Sequence, residues 1–201
     1  MSAPTYFEQF SLPQHLNIDL AALEKSFYAQ SRRLHPDRFA SKPQVEQDAA
    51  LAASSQLNDA YRTLRDPIAR TEYLLSLEGI QMEEQSRAAT DAARASGTEK
   101  KQVAPPDLLE EAFELNMQLE EMRMDPDPNT RRDLEAAREK FTAMLGESQQ
   151  QLEALWTQWD AAIDANDATA KDAAKNAMVA LLNRRSYIRN LVRDVNEALE
   201  S

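Results

Sequence analysis

Pro36, set between a basic amphipathic stretch and a second apolar-periodic one, dictates a helical hairpin with a polar tip. From about Asp19, a residue suited to accept the first free backbone N–H groups of a helix, Leu20, Leu23, Phe27 and Leu34 recur at helical spacing. Lys25, Arg32 and Arg33 take polar positions among them. Proline disfavours helical geometry at the residue before it, so this helix closes at about Leu34 and His35-Pro36-Asp37 begins the connection. From about Gln44 a second pattern runs through Val45, Ala49, Ala53, Leu57, Ala60, Tyr61 and Leu64. Helices joined by so short a loop lie antiparallel, and their tip carries a constrained polar tripeptide.

The rest of the chain extends an all-α expectation. Only 3 glycines in 201 residues argue against a loop-rich or β-rich fold. Asp66-Pro67 opens a short helix read through Tyr73, Leu74 and Leu77 to a stop at Gly79; proline suits its first position, where a missing N–H loses no partner. Residues 1–79 thus read as one domain. Residues 80–104 hold almost no large apolar side chain and read as a linker. Pro105-Pro106-Asp107 restarts order, and residues 105–201 read as a three-helix bundle. Its first helix spans about Asp107 to Arg123 and is ended by Asp125-Pro126-Asp127-Pro128. The second starts near Asn129 or Thr130 and runs to about Ala165, with Leu134, Ala137, Phe141, Met144, Leu145, Leu152, Leu155, Trp156, Trp159 and Ile163 as its inner stripe. Asn166-Asp167 makes a tight turn, asparagine suiting a left-handed cap and aspartate an N-cap. The third helix runs to Leu199 with Leu181, Ile188, Val192, Val195 and Leu199 inward.

Composition excludes several kinds of chemistry. The chain has no cysteine, hence no disulfide and no thiolate for a cluster or zinc finger, and its 2 histidines are a poor metal set. No glycine-rich phosphate loop or catalytic constellation is present, so no enzyme and no cofactor are expected. Asp164, Asn166 and Asp167 do not make a calcium loop: the sharp-turn glycine is missing and Lys175 stands where a bidentate glutamate is needed. Net charge is −11, and residues 1–78 carry 8 Lys/Arg against 10 Asp/Glu, leaving 15 against 24 for the remainder. So acidic a second half is a poor nucleic-acid binder. No apolar run spans a membrane, and the N-terminus lacks a signal peptide's apolar core, so a cytoplasmic protein is expected.

The first helix of the bundle carries two apolar rows. At 100° per residue, Leu108, Ala112, Leu115, Leu119 and Met122 fall in one narrow stripe, enough to pack a bundle. Leu109, Phe113 and Met117 form a second row at i, i+4 spacing, roughly 100° to 180° away. Glu110, Glu114, Glu120 and Glu121 lie beside it. A wide core face would explain Leu109 alone, but Met117 sits opposite the core stripe. Apolar groups flanked by carboxylates point to a docking surface for a basic, partly apolar partner. Tyr187 on the last helix is likewise off its stripe.

The hairpin with His35-Pro36-Asp37, followed by Asn58-Asp59-Ala60-Tyr61-Arg62-Thr63-Leu64-Arg65-Asp66-Pro67, resembles a J-domain. Tyr6-Phe7, Phe10 and Leu12-Pro13 before it, His35-Pro36-Asp37-Arg38-Phe39 at its tip and Arg70-Thr71-Glu72-Tyr73-Leu74-Leu75 after it resemble the HscB family of iron–sulfur co-chaperones. His-Pro-Asp-Lys-Phe is usual there, and Arg38 is a conservative departure. The resemblance is close over the first 80 residues and looser over 105–201. Without the cysteine-rich zinc module of some relatives, the chain resembles the bacterial form. The resemblance implies stimulation of a DnaK-class ATPase, HscA, by His35, Pro36, Asp37 and Arg38, with Lys25, Arg32 and Arg33 steering the encounter. It also implies delivery of an IscU-type scaffold bound by Leu109, Glu110, Phe113, Glu114, Met117, Glu121 and Tyr187. Met117 stands where an acidic residue is common, and Glu110 where an apolar one is. Two alternatives stay open: an adaptor of the same kind for a different client, and a regulatory helical scaffold whose tripeptide is only a helix stop.

Overall fold

The computed structural model describes residues 4–80, 82, 105–124 and 127–200, and among them there is helix and no strand. The expected linker, 80–104, lies outside the described residues apart from Ile80 and Met82. No described helix is long and apolar enough to cross a membrane. Packing divides the described residues into two compact units, those within 1–82 and 156–175, and those within 83–155 and 176–201.

The first unit holds α1 (Tyr6–Gln9), α2 (Leu20–Leu34), α3 (Gln44–Arg65) and α4 (Pro67–Leu77). α2 starts where Asp19 Oδ1 accepts the backbone N–H groups of Ala21 and Ala22 at 2.9 and 3.0 Å, as its N-cap role requires. Asp66 caps α4 in the same way, accepting from Ala69 at 2.8 Å, and Gly79 ends it at φ +82°, a conformation that favours glycine. Phe7, Phe10, Leu16, Leu23, Leu57, Leu64, Leu74 and Leu75 are buried. This explains the apolar signature at the N-terminus: Phe7 is core, and Tyr6 stacks on Tyr73 at 4.3 Å while its N–H donates to the Tyr73 hydroxyl at 2.9 Å. Burial raises the proton affinity of that hydroxyl above a free tyrosine's.

On α3 the buried face is Ala50, Leu57, Ala60 and Leu64. Val45 and Ala49 belong to the apolar pattern in sequence, yet Val45 is 79% exposed and Ala49 exposed. Both precede Ala50, the first residue of α3 to reach the core.

A long helical hairpin contributes its turn to this unit. With α5 defined as Leu109–Met124, α6 is Pro128–Asp164 and α7 Ala168–Glu200. Asn166 adopts the left-handed conformation (φ +52°), and Asp167 Oδ1 accepts from Thr169 and Ala170, both at 3.0 Å. The sequence boundaries group residues 156–175 with the bundle; by packing they belong with residues 1–82. Trp156 Nε1 donates to Thr71 Oγ1 at 2.9 Å, and Trp159 Nε1 to the Gln14 carbonyl at 3.0 Å. The Arg70 guanidinium lies 4.7 Å from the Trp156 ring centroid and donates to the Leu64 carbonyl at 2.6 Å. Burial pulls its proton affinity down, opposed by Asp66 and Asp160. Asp160 gathers three donors, the Leu16 N–H at 2.7 Å and the Asn17 N–H and side-chain amide at 2.9 Å each. Charge-assisted hydrogen bonds of this kind are the strong ones. Asp160→Ala should therefore lower stability by about 1.5–3 kcal/mol, read as a shift in the denaturation midpoint. An unchanged midpoint would mean that these donors find water instead.

In the second unit a 3₁₀ turn, Pro106–Leu108, leads into α5. Leu108, Leu115, Leu119, Leu134, Phe141, Ile188, Leu191, Val195 and Leu199 form one core cluster. Ala112 is buried and Met122 packs against the cluster, so the narrow stripe read from sequence is the core face of α5. On α7, Leu182 is buried and Leu181 only half-buried: the stripe runs through Met178 and Leu182 at four-residue spacing. Arg184 Nε donates to Asp107 Oδ2 at 2.7 Å, which holds that carboxyl below the usual carboxylate range. The Arg131 guanidinium donates to the Leu199 carbonyl at 3.0 Å, satisfying one of the free acceptors at the end of α7.

Candidate functional site

The tripeptide site grows out of the way α2 ends. His35 has left helical geometry (ψ 128°), and Pro36–Arg38 make one 3₁₀ turn closed by the Arg38 N–H on the His35 carbonyl at 3.0 Å. His35 Nδ1 faces Asp37, lying 3.4 Å from both its N–H and its Oδ2. At that length the contacts are weak, and both side chains face solvent, 56% and 89% exposed. Arg38 folds back and donates to the Arg32 carbonyl at 3.3 Å, placing its cation at the negative end of the α2 dipole. The turn therefore holds an imidazole and a carboxylate outward without drawing on the core.

Lys25, Arg32 and Arg33 are exposed on α2, and among the described residues no carboxylate pairs with them. Their charge is available to an acidic surface. One neighbour escaped the sequence reading. Tyr28 is 55% exposed between Lys25 and Arg32, and the signal was its position three residues after one cation and four before the other.

The second surface is on α5. Leu109, Phe113 and Met117 are 55%, 68% and 59% exposed, so the second row is a solvent face. Glu110, Glu114, Glu120 and Glu121 are exposed around it. Glu111, one step nearer the core, pairs with Lys140 at 3.6 Å. Tyr187 differs from the rest of the expected set. It is half-buried and packs against the bundle cluster, and burial raises its hydroxyl's proton affinity. It lies three residues after Arg184, whose guanidinium grips Asp107 just before α5. Among the described residues no group of His, Asp and Glu is placed to hold a metal ion.

No family model matches the chain. A co-chaperone protein HscB homolog of Vibrio cholerae serotype O1 (strain Classical Ogawa 395) is 37% identical over 161 residues, covering 79% of this chain and 85% of the relative. An HscB homolog of Bordetella petrii is 39% identical over 93 residues, 46% of this chain and 55% of the relative. Among solved structures, chaperone HscB from Vibrio cholerae matches with a TM-score of 0.60 at 29% identity, covering 96% of each chain. Human co-chaperone protein HscB matches with a TM-score of 0.61 at 22% identity over 98% of this chain and 82% of the human one, a likeness of fold. With identity sustained over most of both chains, an all-α fold shared with a solved HscB, and the helix–tripeptide–helix hairpin at its N-terminus, the chain belongs to the HscB family of co-chaperones.

Proposed function

We propose that the chain stimulates ATP hydrolysis by a DnaK-class chaperone of the HscA type through residues 1–79. We further propose that it brings an IscU-type scaffold to that chaperone through residues 105–201, aiding maturation of iron–sulfur proteins. The observation that carries the reading is the presentation of His35 and Asp37, both exposed, in a single turn that the core does not need. Hydrolysis is the partner's chemistry; this chain contributes binding energy and no reacting group. Asp37 pairs with a partner arginine, a contact that strengthens as the interface loses water, and His35 and Pro36 fix its direction. Lys25, Arg32, Arg33 and Arg38 raise the encounter rate with an acidic surface, an effect that salt weakens.

For the client, Leu109, Phe113 and Met117 supply the apolar centre, and Glu110, Glu114 and Glu121 form a rim that selects a basic partner. Tyr187 contributes its exposed edge. Because the apolar row lies on the side of α5 away from the bundle stripe, a client can cover it without opening the core. The test is single-turnover ATP hydrolysis by a DnaK-class chaperone titrated with this protein. A saturable rise in rate is expected, and a flat titration would remove the co-chaperone role.

A further inference from the structure

We infer that Tyr28 anchors the chaperone-docking face, and that this face continues from α2 across Phe27 and Tyr61 onto Arg65 of α3. The inference rests on the co-chaperone reading above. Measured around α2 from buried Leu23, Lys25 lies at about 200°, Arg32 at about 180° and Tyr28 at about 140°. All three thus lie on the side away from the core. Ala21, at about 160°, is too small to screen the ring. The Tyr28 ring lies 5.5 Å from that of Phe27, tilted by 56°, and the residue stays 55% exposed.

An aromatic ring left on the outermost strip of a helix gains little for folding, because it keeps its apolar area in water. Between two cations it is well suited to binding. Tyrosine and arginine are enriched at interface centres, where a ring loses its water and surrounding charges steer the approach. The strip is also wider than one helix. Phe27 stacks on Tyr61 of α3 at 4.2 Å with the planes 14° apart, and the Arg65 guanidinium lies 5.9 Å from the Tyr61 ring centroid. Phe27 and Tyr61 are half-buried and Arg65 is exposed. Tyr28, Phe27, Tyr61 and Arg65 therefore form a continuous aromatic–basic band flanked by Lys25 and Arg32. Its occupant is an acidic protein surface on the DnaK-class chaperone that presents apolar groups to the Tyr28 ring. A net charge of −11 opposes a polyanionic strand as the occupant.

The experiment titrates DnaK-class ATPase with wild-type protein, Tyr28→Ala, Tyr28→Phe and Arg65→Gln, each checked by a melt. Tyr28→Ala should raise the concentration for half-maximal stimulation about 5- to 100-fold, the range of an interface anchor, with the plateau kept because His35-Pro36-Asp37 is intact. Tyr28→Phe should stay within about threefold of wild type, since the ring supplies the contact. Arg65→Gln should raise the half-maximal concentration severalfold and flatten its dependence on salt. A Tyr28→Ala titration superimposable on wild type overturns the inference and leaves the co-chaperone reading standing. A wild-type protein that does not stimulate overturns both. Binding of a fluorescent oligothymidine that Tyr28→Ala abolishes would assign the band to nucleic acid instead.

Discussion

Replacing His35 with glutamine should reduce ATPase stimulation to the basal rate of the chaperone, while scaffold titration and melting temperature stay at wild-type values. The imidazole sits on an exposed turn, 56% open to solvent, and among the described residues its polar contacts are the two 3.4 Å approaches of Asp37. Glutamine keeps the polarity and approximate reach of the side chain, so the cost to folding should be within about 0.5 kcal/mol, as for other surface substitutions. What changes is the group offered to the partner. Undiminished stimulation by His35→Gln would show that the tripeptide is a helix stop and nothing more.

The client face separates binding from stability in the same way. Combined Leu109→Ala and Phe113→Ala should weaken scaffold binding by about 2–6 kcal/mol, because interface anchors contribute roughly 1–3 kcal/mol each. Both side chains are more than half exposed, so the melt should barely move. In a bundle core the same truncations would cost about 2–5 kcal/mol apiece in folding. Isothermal titration beside a thermal melt distinguishes the two. Normal binding by the folded variant would remove the client role from this face. Tyr187 is left out of the pair because its ring packs on the core cluster, so Tyr187→Ala would mix lost binding with lost stability.

The difference between Leu109 and Tyr187 marks how far the residue pattern could be read. Periodicity alone placed Leu109, Phe113 and Met117 off the core stripe of α5, because 100° steps along one regular helix need no knowledge of its neighbours. Local chemistry also fixed the ends of elements. Asp19, Asp66 and Asp167 cap their own next residues, and Asn166 turns the chain, within three or four positions of sequence. Tyr187 depends on what packs beside it, which angular bookkeeping along one helix does not contain. The same holds for Val45, whose apolarity matched the α3 pattern before the helix reaches the core.

The largest gap lies at the turn of the long hairpin. Nothing local to Asp160 announces that it accepts from Leu16 and Asn17, some 144 residues away, nor that Trp156 finds Thr71. By spacing alone Trp156 and Trp159 are two more members of an inner stripe. Two tryptophans close together, each with an N–H that needs a partner when buried, were the available signal that this stretch meets something other than the bundle. The tripeptide and its basic neighbours were legible for the opposite reason: they are held by one short turn and one helix.

The central claim is that one chain engages two partners through separate surfaces and lets one act on the other. It is tested most directly by following ATP hydrolysis of the DnaK-class chaperone while the IscU-type scaffold is added at a fixed, sub-saturating concentration of this protein. Wild type should give a rate that climbs with scaffold and saturates. The Leu109→Ala, Phe113→Ala variant should start from the same rate without scaffold and stay flat as it is added. A variant that follows the wild-type curve, or a wild type indifferent to the scaffold, would contradict the account.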